Sequence, residues 1–111
     1  MRLKPIGNEA EQVLAFQCLE DGIKDFEQEY VFAPPRKFRL DLAVVSQKVG
    51  IEICGGLWHG HAHSTPLMIL RDYEKGNLLT LEGWRVLRYT PEQVRKGEAI
   101  EGLKALLVLY S

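Results

Sequence analysis

Two apolar segments joined by a polar turn, at residues 38–58, constrain the fold of this chain more than any other feature. Both segments are rich in β-branched residues, so they predict a β-hairpin. A glycine-rich stretch follows the hairpin in the chain. An acid lies inside each segment, Asp41 in the first and Glu52 in the second. Because aliphatic residues surround both acids, the hairpin is expected near the centre of a sheet.

The turn decides how the two acids face each other. A tight turn at residues 47–48 would place Ala43 opposite Glu52. It would also place Asp41 opposite Cys54, so that the two acids become diagonal neighbours about 7–8 Å apart. Two carboxylates at that separation repel unless a cation lies between them, and their hard oxygens suit Mg²⁺ or Mn²⁺. The alternative is a solvated sheet face with no ligand.

The bulk composition limits the class of protein. With 111 residues, 46% hydrophobic and 26% charged, the chain is expected to form one domain over residues 1–111. It has no signal-peptide pattern and no apolar run long enough for a membrane helix, and its two cysteines fit a reducing compartment. We therefore expect a cytoplasmic protein without membrane contact.

Charge is unevenly distributed along the chain. The net charge of −1 argues against a generic binder of polyanions. Residues 8–30 nevertheless carry seven acids against one lysine, whereas residues 31–111 carry eleven Lys and Arg against eight acids. The later portion is thus the part expected to contact phosphate.

Around the hairpin, periodicity and cap residues predict five further elements: helix 9–21, strand 29–32, helix 67–82, strand 84–89 and helix 98–109. Asn8 is a candidate N-cap for the first helix. Thr90 followed by Pro91 predicts a short helix before the last one. The order α-β-β-β-α-β-α is that of an α/β domain with a mixed sheet of about four strands flanked by helices.

Several motifs, in this order, resemble one family. They are the helix acid Glu11, the strand Phe38-Arg39-Leu40-Asp41-Leu42, the segment Glu52-Ile53-Cys54-Gly55-Gly56, the segment Gly55-x-x-Trp58-His59-Gly60, the helix residues 71–77 and the strand Gly83-Trp84-Arg85-Val86-Leu87-Arg88-Tyr89. Together they are similar to the PD-(D/E)xK nuclease superfamily. Within it, the likeness is to the short bacterial and phage endonuclease-like proteins related to very-short-patch-repair endonucleases.

The resemblance implies a restriction-endonuclease-like core and phosphodiester hydrolysis. It assigns Asp41 and Glu52 as ligands of Mg²⁺ (or Mn²⁺) and Glu11 as a residue that completes or orients the metal shell. It also assigns His59, directly after the Gly-x-x-Trp pattern, as a general base. Imidazole, with a pKa near neutral, suits the activation of water.

One position departs from the family pattern. The lysine that normally follows the glutamate by two residues, often an acid in this branch, is Cys54. A thiol is a poor Mg²⁺ ligand and carries no positive charge. Lys75, on the following helix, is the candidate for a relocated lysine, and an ordinary exposed helix lysine is the alternative. Cys54 also stands near His59, His61 and His63, ligand types that zinc accepts, but without the usual zinc spacing.

Basic residues flank the candidate site along the sequence. The residues expected to contact the DNA backbone are Arg36, Lys37, Arg39, Arg71 and Arg85, with Arg88 beside them. For each of these, a solvated basic rim is the alternative. No recognition domain accompanies the nuclease-like segment, so low sequence specificity or recognition of DNA structure is expected.

Three functions remain open at this stage. The first is a Mg²⁺-dependent DNA endonuclease or nickase in DNA repair, recombination or phage DNA processing, with a homodimer as one way to cut both strands. The second is a catalytically inactive nuclease fold that binds DNA or a protein partner, which Cys54 favours. The third is a metal-stabilised toxin or regulatory protein unrelated to DNA.

Overall fold

The predicted hairpin forms the two central strands of a four-stranded sheet. In the computed structural model, which describes residues 9–54 and 65–110, the strands are β1 (Glu27–Val31), β2 (Arg39–Val44), β3 (Val49–Ile53) and β4 (Arg85–Tyr89). They lie side by side in the order β1-β2-β3-β4. The first three are antiparallel neighbours, and β4 runs parallel to β3. The sequence-based prediction of a mixed sheet of about four strands is confirmed.

The helices begin and end close to the predicted residues. They are α1 (Glu9–Glu20), α2 (Pro66–Leu81), α3 (Pro91–Arg95) and α4 (Glu98–Leu109). Thr90 caps α3 and Pro91 lies in its first turn, as predicted, and Gln93 completes a capping box with Thr90. The candidate cap Asn8 lies outside the described residues. Among helices in the described ranges, none is long and apolar enough to cross a membrane.

Helices cover both faces of the sheet, each over its own apolar core. The larger core packs α1, α3 and α4 against residues such as Leu42 and Ile51. The smaller core lies under α2 and is built around Trp84. Strand β4 alternates between them, since Val86 belongs to the second core and Leu87 packs against the first. This arrangement leaves α2 as the helix that stands above the two acids of the hairpin.

The hairpin turns at the predicted polar residues, but not through a tight turn at residues 47–48. Residues Val45–Gln47 form a 3₁₀ turn instead of continuing β2, and Lys48 adopts a left-handed backbone conformation with φ of 54°. The Ser46 hydroxyl donates to Asp25 at 2.8 Å, which holds this turn against the end of the chain segment before β1. The chain therefore leaves β2 two residues earlier than a tight turn at 47–48 would require.

The earlier turn changes which residues face each other. Ala43 lies opposite Gly50, so the predicted pairings of Ala43 with Glu52 and of Asp41 with Cys54 are wrong. The pairing of β2 with β3 ends at Leu42 and Ile51, and just beyond it the Asp41 side chain accepts a hydrogen bond from the Ile53 backbone N–H. A shift by two positions preserves the face on which each side chain lies, whereas a shift by one would have inverted it. Both acids thus stay on the face of the sheet that the sequence predicts.

Two glycines inside helices lead to a prediction. At Gly76 of α2, no atom lies within 4 Å of the place a Cβ would take, whereas at Gly102 of α4 a Cβ would overlap the Tyr89 hydroxyl and lie 3.2 Å from Leu87 Cδ1. Gly76→Ala is therefore expected to raise the free energy of unfolding by about 0.5–1 kcal/mol, the usual gain in helix propensity. Gly102→Ala is expected to lower it by about 1–3 kcal/mol through overpacking.

Urea unfolding of both variants beside the wild type measures the two changes. Equal shifts in the two variants would contradict the prediction, because helix propensity alone would then explain both.

Candidate active site

An open cleft of about 500 Å³ lies between α2 and the carboxyl ends of β3 and β4. It is lined by Asp41, Glu52, Ile53, Cys54, Asp72, Lys75 and Arg88. The two strands of the hairpin thus supply Asp41 and Glu52, whereas α2 supplies Asp72 and Lys75 and β4 supplies Arg88. The cleft is the place where the predicted acids and the predicted lysine meet.

Asp41 is tied to the neighbouring strand through its side chain. Its Oδ2 accepts a hydrogen bond of 2.7 Å from the Ile53 backbone N–H. Burial raises the pKa of Asp41 above its ordinary value. The Ile53 N–H and the charge of Lys75 act against this rise, and the carboxylates of Glu52 and Glu29 add to it. The surroundings of Asp41 therefore disfavour its negative charge.

Glu52 is held between two cations. Its Oε1 pairs with the Lys75 ammonium. Its Oε2 lies 3.0 Å from Arg88 Nε, and the Glu52 side chain is only 15% exposed. Glu52 and Arg88 are direct partners in the parallel pairing of β3 with β4, so the backbone itself places this ion pair. Lys75 reaches the same carboxylate from α2, across the cleft.

Cys54 stands on the cleft wall beside this ion pair. Its backbone N–H donates to the Tyr89 carbonyl at 2.8 Å, which extends the β3–β4 pairing by one residue. Burial raises the pKa of the Cys54 thiol, and the Glu52 carboxylate raises it further. The thiol is therefore uncharged at neutral pH. The Lys75 ammonium, which pairs with Glu52, supplies positive charge beside this uncharged thiol.

The donor chemistry of the cleft fits a hard divalent cation. Asp41 and Glu52 offer carboxylate oxygens on adjacent strands, and a cation beside them would offset the unfavourable charge of Asp41. Within residues 9–54 and 65–110, no group of three or more His, Cys, Asp or Glu side chains is placed to hold a metal ion. An ion bound here would have these two carboxylates as its protein ligands, with water and phosphate completing its shell.

One other predicted site residue, Glu11, lies apart from the lining of the cleft. Glu11 is 6% exposed on α1 and is not among the residues that line it. It lies on the helix face that carries Leu14 and Cys18 into the larger core. His59, with His61 and His63, lies outside the described residues. The roles of Glu11 and His59 therefore stay predictions.

Three of the predicted DNA-binding residues come together on one flank of α2. Arg36, Lys37 and Arg71 line a second open cavity of about 380 Å³ with Phe38. Arg36 also pairs with Glu74 of α2, and its guanidinium lies 4.7 Å from the centroid of the Phe38 ring. This flank is a cluster of cations next to the helix that carries Lys75.

The other two predicted DNA-binding residues are engaged elsewhere. Arg39 pairs with Glu29 at 3.0 Å. Arg85 begins β4, opposite Val49 at the turn end of the hairpin, and its guanidinium lies 3.7 Å from the centre of the Tyr110 ring. The structure does not bring Arg85 to the cleft.

Two cleft residues were not singled out from the sequence. Asp72 lies three residues before Lys75 on α2, and this spacing could have indicated a shared helix face. Arg88 was grouped only with the flanking basic residues. Its pairing with Glu52 depends on the parallel register of β3 and β4, which no local sequence pattern specifies.

Comparison with known proteins supports the fold class. No family model matches the sequence, and a search of curated proteins gives no match. Among solved structures, the chain is similar to the catalytic domain of the homing endonuclease I-Bth0305I, with a TM-score of 0.70 and 16% sequence identity. The alignment covers 94% of this chain and 98% of that domain. The chain thus shares the fold of an endonuclease catalytic domain over nearly its whole length.

Proposed function

We propose that this protein is a Mg²⁺- or Mn²⁺-dependent DNA endonuclease or nickase. The observation that carries the proposal is that Asp41 and Glu52 line one cleft, with the Lys75 ammonium on Glu52. This constellation lies on a fold shared with the catalytic domain of a homing endonuclease. We place the enzyme in DNA repair, recombination or phage DNA processing, in the cytoplasm, as a relative of the PD-(D/E)xK nucleases.

Four of the cleft residues would have a task in phosphodiester hydrolysis. Asp41 and Glu52 would hold the metal, which would polarise the phosphate and lower the pKa of a bound water. Lys75 and Arg88 present positive charge beside these carboxylates, where the phosphate's negative charge grows during displacement. Because Asp41 is fixed by the Ile53 N–H, its carboxylate is preorganised before substrate arrives.

DNA would be held by its backbone more than by its bases. Arg36, Lys37 and Arg71 form a cationic cavity beside α2, and contacts of this kind position a duplex without reading its sequence. We therefore propose a substrate chosen by structure, such as a junction, nick or flap, or cleavage of low sequence specificity.

A second function is favoured by one observation. Cys54 occupies the position of the family's strand lysine, and its thiol is uncharged. If Lys75 does not substitute for that lysine, the fold would act as a DNA-binding or partner-binding module without cleavage.

A cleavage assay tests the proposal. The wild-type protein is incubated with supercoiled plasmid and with branched, nicked and flapped duplexes, in Mg²⁺, in Mn²⁺ and in EDTA. We expect metal-dependent nicking or cutting, and conversion to nicked rather than linear plasmid would show that one copy cuts one strand. DNA binding without cleavage of any substrate in either metal would support the binding module and overturn the enzyme.

Metal binding is measured separately by calorimetric titration with Mn²⁺. Binding by the wild type should be lost in Asp41→Ala. Equal binding by both proteins would place the metal elsewhere.

A further inference from the structure

A polar groove lies behind Arg88, on the flank of α2 opposite the basic cavity. It has a volume of about 470 Å³ and runs between the carboxyl-terminal half of α2 and β4. We call it the α2–β4 groove, and its lining includes Gly76, Asn77, Thr80, Trp84, Val86 and Arg88. None of the functions assigned above uses it.

Arg88 joins this groove to the cleft. Its side chain lines both cavities, so a chain of phosphates that enters one can continue into the other past a single guanidinium. Its Nε is paired with Glu52, and within the described part of the chain this side chain makes no other ion pair. With half of the side chain exposed, guanidinium donors remain for a second anion.

The groove has a rigid apolar floor and a polar rim. Trp84 is 8% exposed in the floor, and its ring lies 5.7 Å from that of Tyr30 and 6.4 Å from that of Phe32, measured between centroids. Asn77 and Thr80 are exposed on the rim and supply an amide and a hydroxyl. Gly76 leaves open space beside them, because no atom lies within 4 Å of its absent Cβ.

We infer that the α2–β4 groove binds the nucleotide that adjoins the phosphate held in the cleft. Arg88 contacts the phosphate between the two units, and the amide and hydroxyl of the rim hydrogen-bond the sugar or base. Helix α2 then lies between two tracks of DNA contact, the α2–β4 groove on one flank and the cavity of Arg36, Lys37 and Arg71 on the other. The inference rests on the proposed function, since it needs a phosphodiester strand in the cleft.

Two neighbouring positions on α2 provide a matched test. Thr80 lines the groove, whereas Leu81 is 81% exposed and does not line it. Thr80→Glu and Leu81→Glu add the same charge to the same helix end, so effects on net charge and on the helix dipole are shared. Only Thr80→Glu places a carboxylate where the inference places a strand.

The measurement is the Kd for a fluorescent branched duplex, in Ca²⁺ to prevent cleavage, over a range of salt. Thr80→Glu should weaken binding at least about tenfold, and Leu81→Glu by less than about threefold. Arg88→Gln should lower the dependence of log Kd on log salt by about 1. Circular dichroism and thermal unfolding confirm that each variant is folded.

The outcomes separate this inference from the proposed function. If the wild type binds and the two glutamate variants weaken binding equally, the groove does not hold the strand, and the nuclease proposal is unaffected. If the wild type binds none of the DNA substrates, the proposed function fails and the inference fails with it.

Discussion

Asp41→Asn is expected to reduce the rate of DNA cleavage by about 10³-fold or more while leaving the protein at least as stable as the wild type without metal. The loss of activity follows because an amide is a poor ligand for Mg²⁺, and metal stabilisation of the phosphate contributes several kcal/mol. The amide oxygen can still accept the hydrogen bond from the Ile53 N–H, so the local structure should persist.

The stability of this variant should depend on pH in a defined direction. Burial raises the pKa of Asp41 in the folded protein. The contribution of this group to folding is therefore present below the ordinary pKa of an aspartate and is lost as pH rises through the folded value. Asn carries no charge at any pH. In EDTA, the stability of Asp41→Asn relative to the wild type should increase from acid to neutral pH.

Bound metal should reverse the order of stability of the wild type and Asp41→Asn. A ligand that binds only the folded state stabilises it in proportion to the logarithm of its concentration above Kd. In thermal unfolding, Mn²⁺ should therefore raise the Tm of the wild type and not that of Asp41→Asn. A variant that is as active as the wild type, or that gains as much stability from Mn²⁺, would remove Asp41 from the metal site.

Lys75→Gln is expected to lower kcat by about 10²-fold with little change in the Kd for DNA. Lys75 lies against Glu52 in the cleft, with its side chain 20% exposed, so its charge acts close to the carboxylates and the phosphate. The variant keeps the length and polarity of the side chain but removes the ammonium. Single-turnover cleavage with excess enzyme measures the chemical step.

Lys96→Gln is the matched control for this change. Lys96 lies at the carboxyl end of α3, pairs with Glu92 and is 63% exposed, so the variant removes the same charge from a surface site. Its cleavage rate should stay within about threefold of the wild type. If both lysine variants cleave at the wild-type rate, Lys75 has no catalytic task, and its ion pair with Glu52 is only structural.

Local sequence patterns were sufficient for the element order and for the two acids. The capping box at Thr90, the alternation of Trp84 to Tyr89 and the glycine at position 22, which ends α1 with φ of 79°, are all determined by neighbouring residues. Asp41 and Glu52 stood out because acids rarely lie inside strands that are otherwise aliphatic. These features depend on contacts within a few residues, and such contacts can be predicted from the sequence.

The register of the hairpin could not be predicted in this way. The observed turn includes a hydrogen bond from the Ser46 hydroxyl to Asp25, which is twenty-one residues away in the chain. Strand β2 ends at Val44, and Ala43 lies opposite Gly50. The tertiary structure therefore decided the register of the two acid-bearing strands, whereas the sequence determined only that each acid lies in a strand.

The sequence by itself determined the strands, the helices and the identity of the carboxylates, because each of these follows from local periodicity and from residue type. Only the tertiary structure decided their partners. Glu52 meets Arg88 because β3 and β4 pair in parallel, and it meets Lys75 because α2 crosses above them. Gly76 and Gly102 look alike in sequence, yet one faces open space and the other Tyr89, because packing between distant segments is set by the assembled fold.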